Sequence, residues 1–81
     1  MSITVYILLS ASLDRHYVGI TNDLSRRVTQ HCHGETRATA RAQDWQVAWS
    51  TIVPDYIPAR ELEKQIKSRG ARRFLQDQGC A

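Results

Sequence analysis

Val5-Tyr6-Ile7-Leu8-Leu9-Ser10-Ala11-Ser12-Leu13-Asp14-Arg15-His16-Tyr17-Val18-Gly19-Ile20-Thr21 and its continuation through Asn22-Asp23-Leu24 to Arg26, Arg27 and His31 decide how this chain folds. Thr4 to Leu9 is a dense apolar run rich in β-formers, which predicts a buried strand. Ser10 to Arg15 is polar and holds Asp14, a turn. Arg15 to Thr21 returns as a second strand through Tyr17, Val18 and Ile20, and the short separation makes the pair an antiparallel hairpin. Asn22 or Thr21 offers a side-chain oxygen to cap the helix that follows. Leu24 and Val28, four apart, supply the buried stripe of that helix, and Gly34 ends it.

Outward from this stretch, residues 35 to 44 are polar and without period, a loop. Trp45, Val47, Trp49, Thr51 and Val53 alternate, which is strand periodicity over Trp45 to Val53. Pro54 and Pro58 bracket a turn, with Pro58 suited to the first turn of a helix. Ala59, Leu62 and Ile66 mark an amphipathic helix to about Ser68, Gly70 breaks it, and Ala71 to Gln78 forms one more short helix around Phe74 and Leu75. The expected order is ββαβαα: one α+β domain over residues 1–81, a three-stranded antiparallel sheet flanked by helices. Trp45 and Trp49 are expected on one face of the third strand, where core packing or a dimer interface would use them.

Composition narrows the function classes. The chain has 81 residues, 42% of them hydrophobic, near the lower limit for a self-supporting core. No apolar run reaches the roughly 18 to 20 residues of a membrane span, and the N-terminus lacks the features of a secretory leader, so a cytoplasmic protein is expected. Cys32 and Cys80 are expected to be free thiols. The net charge is +3, but Arg60, Lys64, Lys67, Arg69, Arg72 and Arg73 crowd the last third, and Arg26, Arg27, Arg37 and Arg41 form a second group. Such clusters suit a phosphate backbone, and equally a solvated helix face.

Several residues can carry chemistry, each beside a structural alternative. Tyr6 and Tyr17 fall on adjacent strands, as a packed tyrosine pair or as two site hydroxyls. Gly19 favours the second, since glycine in a strand often marks close approach of a ligand or another backbone. Arg27 and His31 share a helix stripe leaning toward the sheet's edge. There a guanidinium can hold a phosphate with forked donors and an imidazole can exchange a proton; the alternative is a surface arginine and a histidine stabilising the helix C-terminus. Glu63 with Lys67 is either an ordinary i,i+4 ion pair or a ligand for Mg²⁺ or Mn²⁺. His31-Cys32-His33 is too tightly spaced for a structural zinc site.

From Val5 to about Phe74 these motifs resemble the GIY-YIG nuclease family in its small, single-domain branch. Val5-Tyr6-Ile7 stands where members carry Gly-Ile-Tyr, and Tyr17-Val18-Gly19 is similar to the second motif, with Val for Ile. Arg27 falls at the family's arginine, ten residues after Tyr17, and His31 where members carry histidine or tyrosine. Glu63, within Leu62-Glu63-Lys64-Gln65-Ile66-Lys67, falls at the metal-binding glutamate. Thr39 and Arg41 resemble a threonine–arginine segment of the small branch.

The resemblance implies a sheet with flanking helices and hydrolysis of a DNA phosphodiester with one divalent ion, Mg²⁺ or Mn²⁺, in repair or processing. It implies Glu63 on the metal, Tyr17 as or beside the general base, Arg27 balancing charge on the phosphate, and Tyr6 and His31 orienting the nucleophile or shuttling a proton. DNA contacts are expected from Gly19, Arg26, Arg41, Lys64 and Lys67. With no room for an added DNA-binding domain, binding should be weak, salt-sensitive and blind to sequence, so that a protein partner or a branched or flap DNA shape directs it. The rival is a non-catalytic nucleic-acid-binding or interaction module on the same fold.

Overall fold

A computed structural model of the chain describes residues 2–34 and 42–79. It contains strand β1 (Ile3–Ser10), strand β2 (Arg15–Thr21), helix α1 (Leu24–Cys32), strand β3 (Trp45–Val53), helix α2 (Tyr56–Arg69) and helix α3 (Ala71–Asp77), the expected ββαβαα order. Most of the expected loop, with Arg37, Thr39 and Arg41, and the terminal Cys80 lie outside the described residues.

The sheet runs β2-β1-β3 and is antiparallel throughout. The continuous apolar run dictates that β1 sits in the centre, because a strand covered on both faces cannot alternate with polar residues. Val5, Tyr6, Ile7 and Leu8 are accordingly all fully buried. On one face Ile3, Val5, Ile7 and Val18 pack with Ala59 and Ile66 of α2 and Leu75 of α3. On the other, Tyr6 and Leu8 pack with Ala42 and Trp45, flanked by Tyr17 and by Leu24, Val28 and Cys32 of α1. Both hydrophobic stripes read from the sequence, Leu24/Val28 and Ala59/Leu62/Ile66, are the stripes that meet the sheet.

The two tryptophans do not share a face. Ile7 pairs with Trp49 but Leu8 pairs with Val47, so Ala48 is an extra residue in β3. A bulge of one residue inverts the alternation beyond it. Trp45 therefore packs beside Tyr6, whereas Trp49 meets Phe74 edge-on at 4.9 Å on the α2–α3 side.

The cap of α1 also differs from expectation, while Pro58 stands in the first turn of a helix as expected. The N-cap of α1 is Asp23, whose carboxylate accepts from the Arg26 amide at 3.1 Å. Thr21 instead accepts from the Asp23 amide at 3.1 Å, closing the turn that delivers the cap. Helix α2 begins at Tyr56, capped by Asp55 through the Ile57 amide at 3.0 Å, which leaves Pro58 inside the first turn, where its missing N–H costs nothing. Gly70, at φ 94°, separates α2 from α3. The β1–β2 turn is tied to the start of β3 by Asp44, which accepts from the Ser10 hydroxyl at 2.6 Å and the Ser12 amide at 2.9 Å.

Candidate active site

Tyr6 and Gly19 are directly opposed across β1 and β2, so both belong to the sheet face that α1 covers. The Tyr6 ring lies across the bare backbone of Gly19. A Cβ there would stand 2.5 Å from the Tyr6 hydroxyl oxygen, 2.7 Å from its Cζ and 3.1 Å from a ring carbon of Tyr17. The glycine is thus explained by the phenol laid over it. The hydroxyl reaches the Nε2 of His31 at 3.1 Å, and both residues are fully buried. His31 therefore lies under the tyrosines, not at the sheet's edge as its helix stripe suggested; its ring centroid is 4.7 Å from that of Tyr17. The residue at the C-cap of α1 is His33.

Arg27 closes the cluster. One Nη donates to the Gln30 side-chain oxygen at 3.0 Å, and the guanidinium lies near enough to the hydroxyls of Tyr6 and Tyr17 for the three to act on one another electrostatically, Tyr6 most. Burial pushes the Tyr6 phenol up, Arg27 partly offsets this, and the fields of Tyr17 and Glu63 push it further up. Tyr6 thus keeps its proton. The Tyr6 hydroxyl and His31 Nε2 share this hydrogen bond, and the tautomer of the imidazole sets which of them donates. Burial, and then the charge of Arg27, hold the His31 imidazole below its ordinary value of 6.5.

This arrangement makes stability depend on pH. The unfolded chain protonates His31 near 6.5, whereas the folded chain does so only at lower pH. In that window the unfolded state binds more protons, so stability present above 6.5 is lost as pH falls through the folded value. His16 is lowered for the same leading reason, burial, with Arg72 adding to it, and acts with the same sign. Melting temperature is therefore expected to fall between pH 7.5 and pH 5, and to fall less in a His31→Gln protein.

Glu63 reaches this cluster from the other layer. Tyr56, Glu63 and Lys67 recur at intervals of seven and four residues in α2, which places them on one stripe of the helix. Tyr56 lines a cleft with Arg26 and Arg27, and Lys67 lines a cavity with His16 and Tyr17. The stripe thus faces the open edge of β2, with Glu63 in its middle and close enough for its field to act on Tyr6. The carboxylate side chain is 20% exposed and pairs with Lys67 at 3.4 Å, so the i,i+4 ion pair is present. Among the described residues no three His, Cys, Asp or Glu converge. A cation at Glu63 would have one protein carboxylate and take its remaining ligands from water and substrate, which suits Mg²⁺ or Mn²⁺. Cys32 spends its thiol on the Trp45 carbonyl at 3.4 Å, away from the Tyr6–His31 bond.

The structure therefore brings together Tyr6, Tyr17, Gly19, Arg27 and His31, with Glu63 close enough for its charge to act on Tyr6. Arg26 lies on the exposed side of α1 at the cleft rim, and Lys64 is exposed on α2, where it lines a second cavity with Arg60, Glu61 and Glu63. Within the C-terminal basic group, Arg69 is held by Asp77 at 2.9 Å and Arg72 by Asp14 at 2.8 Å. Tyr56 was missed by sequence reasoning; its spacing of seven from Glu63 was the available signal.

The arrangement has relatives. A solution NMR structure of a UPF0213 protein from Bacillus halodurans is similar to this chain, with a TM-score of 0.57 and 26% identity over 94% of this chain and 81% of the other. Among curated proteins none matches. The family model of the GIY-YIG catalytic domain matches residues 2–75, a span that takes in both tyrosine motifs, Arg27, His31 and Glu63, and so the chain belongs to the GIY-YIG family of nucleases.

Proposed function

We propose that this protein is a divalent-cation-dependent endonuclease acting on DNA phosphodiester bonds, in the cytoplasm and in repair or a related process, with Tyr6, Tyr17, Arg27, His31 and Glu63 as its active site. The observation that carries this reading is the buried Tyr6–His31 hydrogen bond beside Tyr17, over a glycine kept bare for the Tyr6 phenol, with the charge of Arg27 acting on both tyrosines.

Glu63 would hold Mg²⁺ or Mn²⁺, which when bound polarises the phosphate and steadies the leaving oxygen. Arg27 is the group to balance charge gathering on the phosphate oxygens, in a pocket where its fork is already aimed by Gln30. Tyr17 is half-buried and opens onto the cavity lined by Lys67, so it can take part in moving the proton of an attacking water. Tyr6 is fully buried and hydrogen-bonded to His31, which suits it to fixing the cluster rather than to touching the water. Lys67, with its side chain 57% exposed, is free to swing from Glu63 toward a phosphate. Arg26 and Lys64 would add sequence-blind backbone contacts, and a protein partner or the DNA's shape would supply targeting.

The test is cleavage of labelled duplex, single-stranded, flap and four-way-junction DNA in Mg²⁺, in Mn²⁺ and in EDTA. Cutting in either cation and not in EDTA is expected, with binding that weakens steeply as salt rises. Arg27→Ala is expected to slow the chemical step by about a hundredfold or more. Salt-sensitive binding with no cutting of any form would replace this reading with the non-catalytic binding module.

A further inference from the structure

Tyr56 is 53% exposed at the first turn of α2, an unusual outlay for an aromatic side chain that nothing in the core requires. It forms one wall of an open cleft of about 240 Å³ whose other walls come from the β2–α1 junction and include Asn22, Asp23, Arg26, Arg27 and Gln30. The cleft shares Arg27 with the active site and lies on the same α2 stripe as Glu63, two helical turns away. We infer that this cleft is a binding site for one unstacked nucleobase of the DNA strand, next to the phosphate that Arg27 holds. The inference rests on the nuclease reading and deepens it by assigning the class of substrate.

Each lining group has a use for such a ligand. The Tyr56 ring, half exposed at the helix start, offers a π-face on which any base can stack. The Asn22 amide can donate or accept at a base edge, and Gln30, whose oxygen already accepts from Arg27, can still donate from its NH₂, neither of which fixes one sequence. Asp23 would repel a phosphate but can accept from an exocyclic amine; its Oδ1 already holds the Arg26 amide, so its position is set. Arg26 and Arg27 follow on the next turn to take the neighbouring phosphate. The cleft offers one aromatic face, that of Tyr56, so a base inside a continuous duplex would have to leave its stack to lie on it. A base at a flap, a junction or in a single strand has already left it. The cleft thus converts a cation-lined surface, blind to sequence, into one that reads unpaired DNA.

The experiment is binding in EDTA, where no cutting occurs, of DNAs carrying 2-aminopurine. In one the probe is the first unpaired base of a flap; in the other it lies within continuous duplex. The parent protein is expected to quench the flap probe and to bind the flap about tenfold more tightly than the duplex, the scale of one stacked base. Tyr56→Ala is expected to lose both effects, and Tyr56→Phe to keep them. Equal quenching and equal preference in Tyr56→Ala would overturn the inference, as would absence of quenching by the parent. Cleavage of duplex by a protein that fails these tests would remove this inference alone. Intact stacking in a protein that never cuts would leave this site standing and remove the nuclease reading.

Discussion

Glu63→Gln is expected to leave the chain folded and bound to DNA while slowing cleavage by about a thousandfold or more, the loss of several kcal/mol of charge stabilisation at the phosphate. The substitution keeps the shape of the side chain and removes the carboxylate whose field acts on Tyr6. Its structural role is small. The ion pair with Lys67 spans 3.4 Å on a helix surface, with Lys67 57% exposed, and such pairs contribute about 0.3–0.5 kcal/mol. Melting should therefore shift by no more than a few degrees. Binding in EDTA should strengthen slightly, because the net charge rises by one and Lys67 is released toward the phosphates. Single-turnover cleavage in Mg²⁺ and Mn²⁺, melting and EDTA binding together separate the two roles of this residue. If cleavage stays within threefold of the parent, Glu63 is only the partner of Lys67 and the assignment of the cation to it fails.

Much of this arrangement was legible in the sequence, for physical reasons that also explain the rest. Strand β2 is bounded by its own polar turn on one side and a capped helix on the other, so its span is written locally. The central place of β1 is legible because only a doubly covered strand is apolar without interruption. By contrast, the split of Trp45 and Trp49 depends on Ala48 being extra in the pairing with β1, a property of two strands that neither sequence carries alone. The sequence does not single out Asp23 as the cap over Asn22 or Thr21, because all three can cap and only the closure of the Thr21 turn chooses among them. The spacing of His31 from Arg27 predicts an edge residue. Its burial follows from how deeply α1 settles over Tyr6 and Tyr17, which a helical wheel does not contain. Glu63 was found by resemblance and could not be separated from an ion pair by helix arithmetic. What singles it out is that Tyr56 and Lys67, above and below it, both line clefts on the β2 edge.

Gly19→Ala is expected to destabilise the protein by about 1–3 kcal/mol, the usual result of forcing an extra methyl into a packed site, and to lower cleavage by about a hundredfold. The sign is the point. Gly19 sits in ordinary strand backbone, without a positive φ. An alanine at an unencumbered strand position raises stability, because glycine loses more freedom on folding. Here the methyl would arrive 2.5 Å from the Tyr6 hydroxyl oxygen and 2.7 Å from Cζ, the rigid end of an aromatic ring and not of a flexible chain. Tyr6 is fully buried and cannot swing into solvent. The ring must tilt away, and its hydroxyl leaves the positions from which it meets His31 and Arg27. A displacement on the order of 1 Å in a positioning group can cost a hundredfold in rate. At about 4–8 °C per kcal/mol for a domain of this size, the melting temperature should fall by roughly 5–20 °C. A Tyr6→Phe background tests the cause: with the hydroxyl gone the closest contact disappears, while the Cζ contact remains. Gly19→Ala should therefore cost less there, by a coupling of about 0.5–3 kcal/mol. Parental or raised melting temperature in Gly19→Ala, or identical costs in the two backgrounds, would show that the glycine is not there to seat the phenol. The positioning role given to Tyr6 would then have no support.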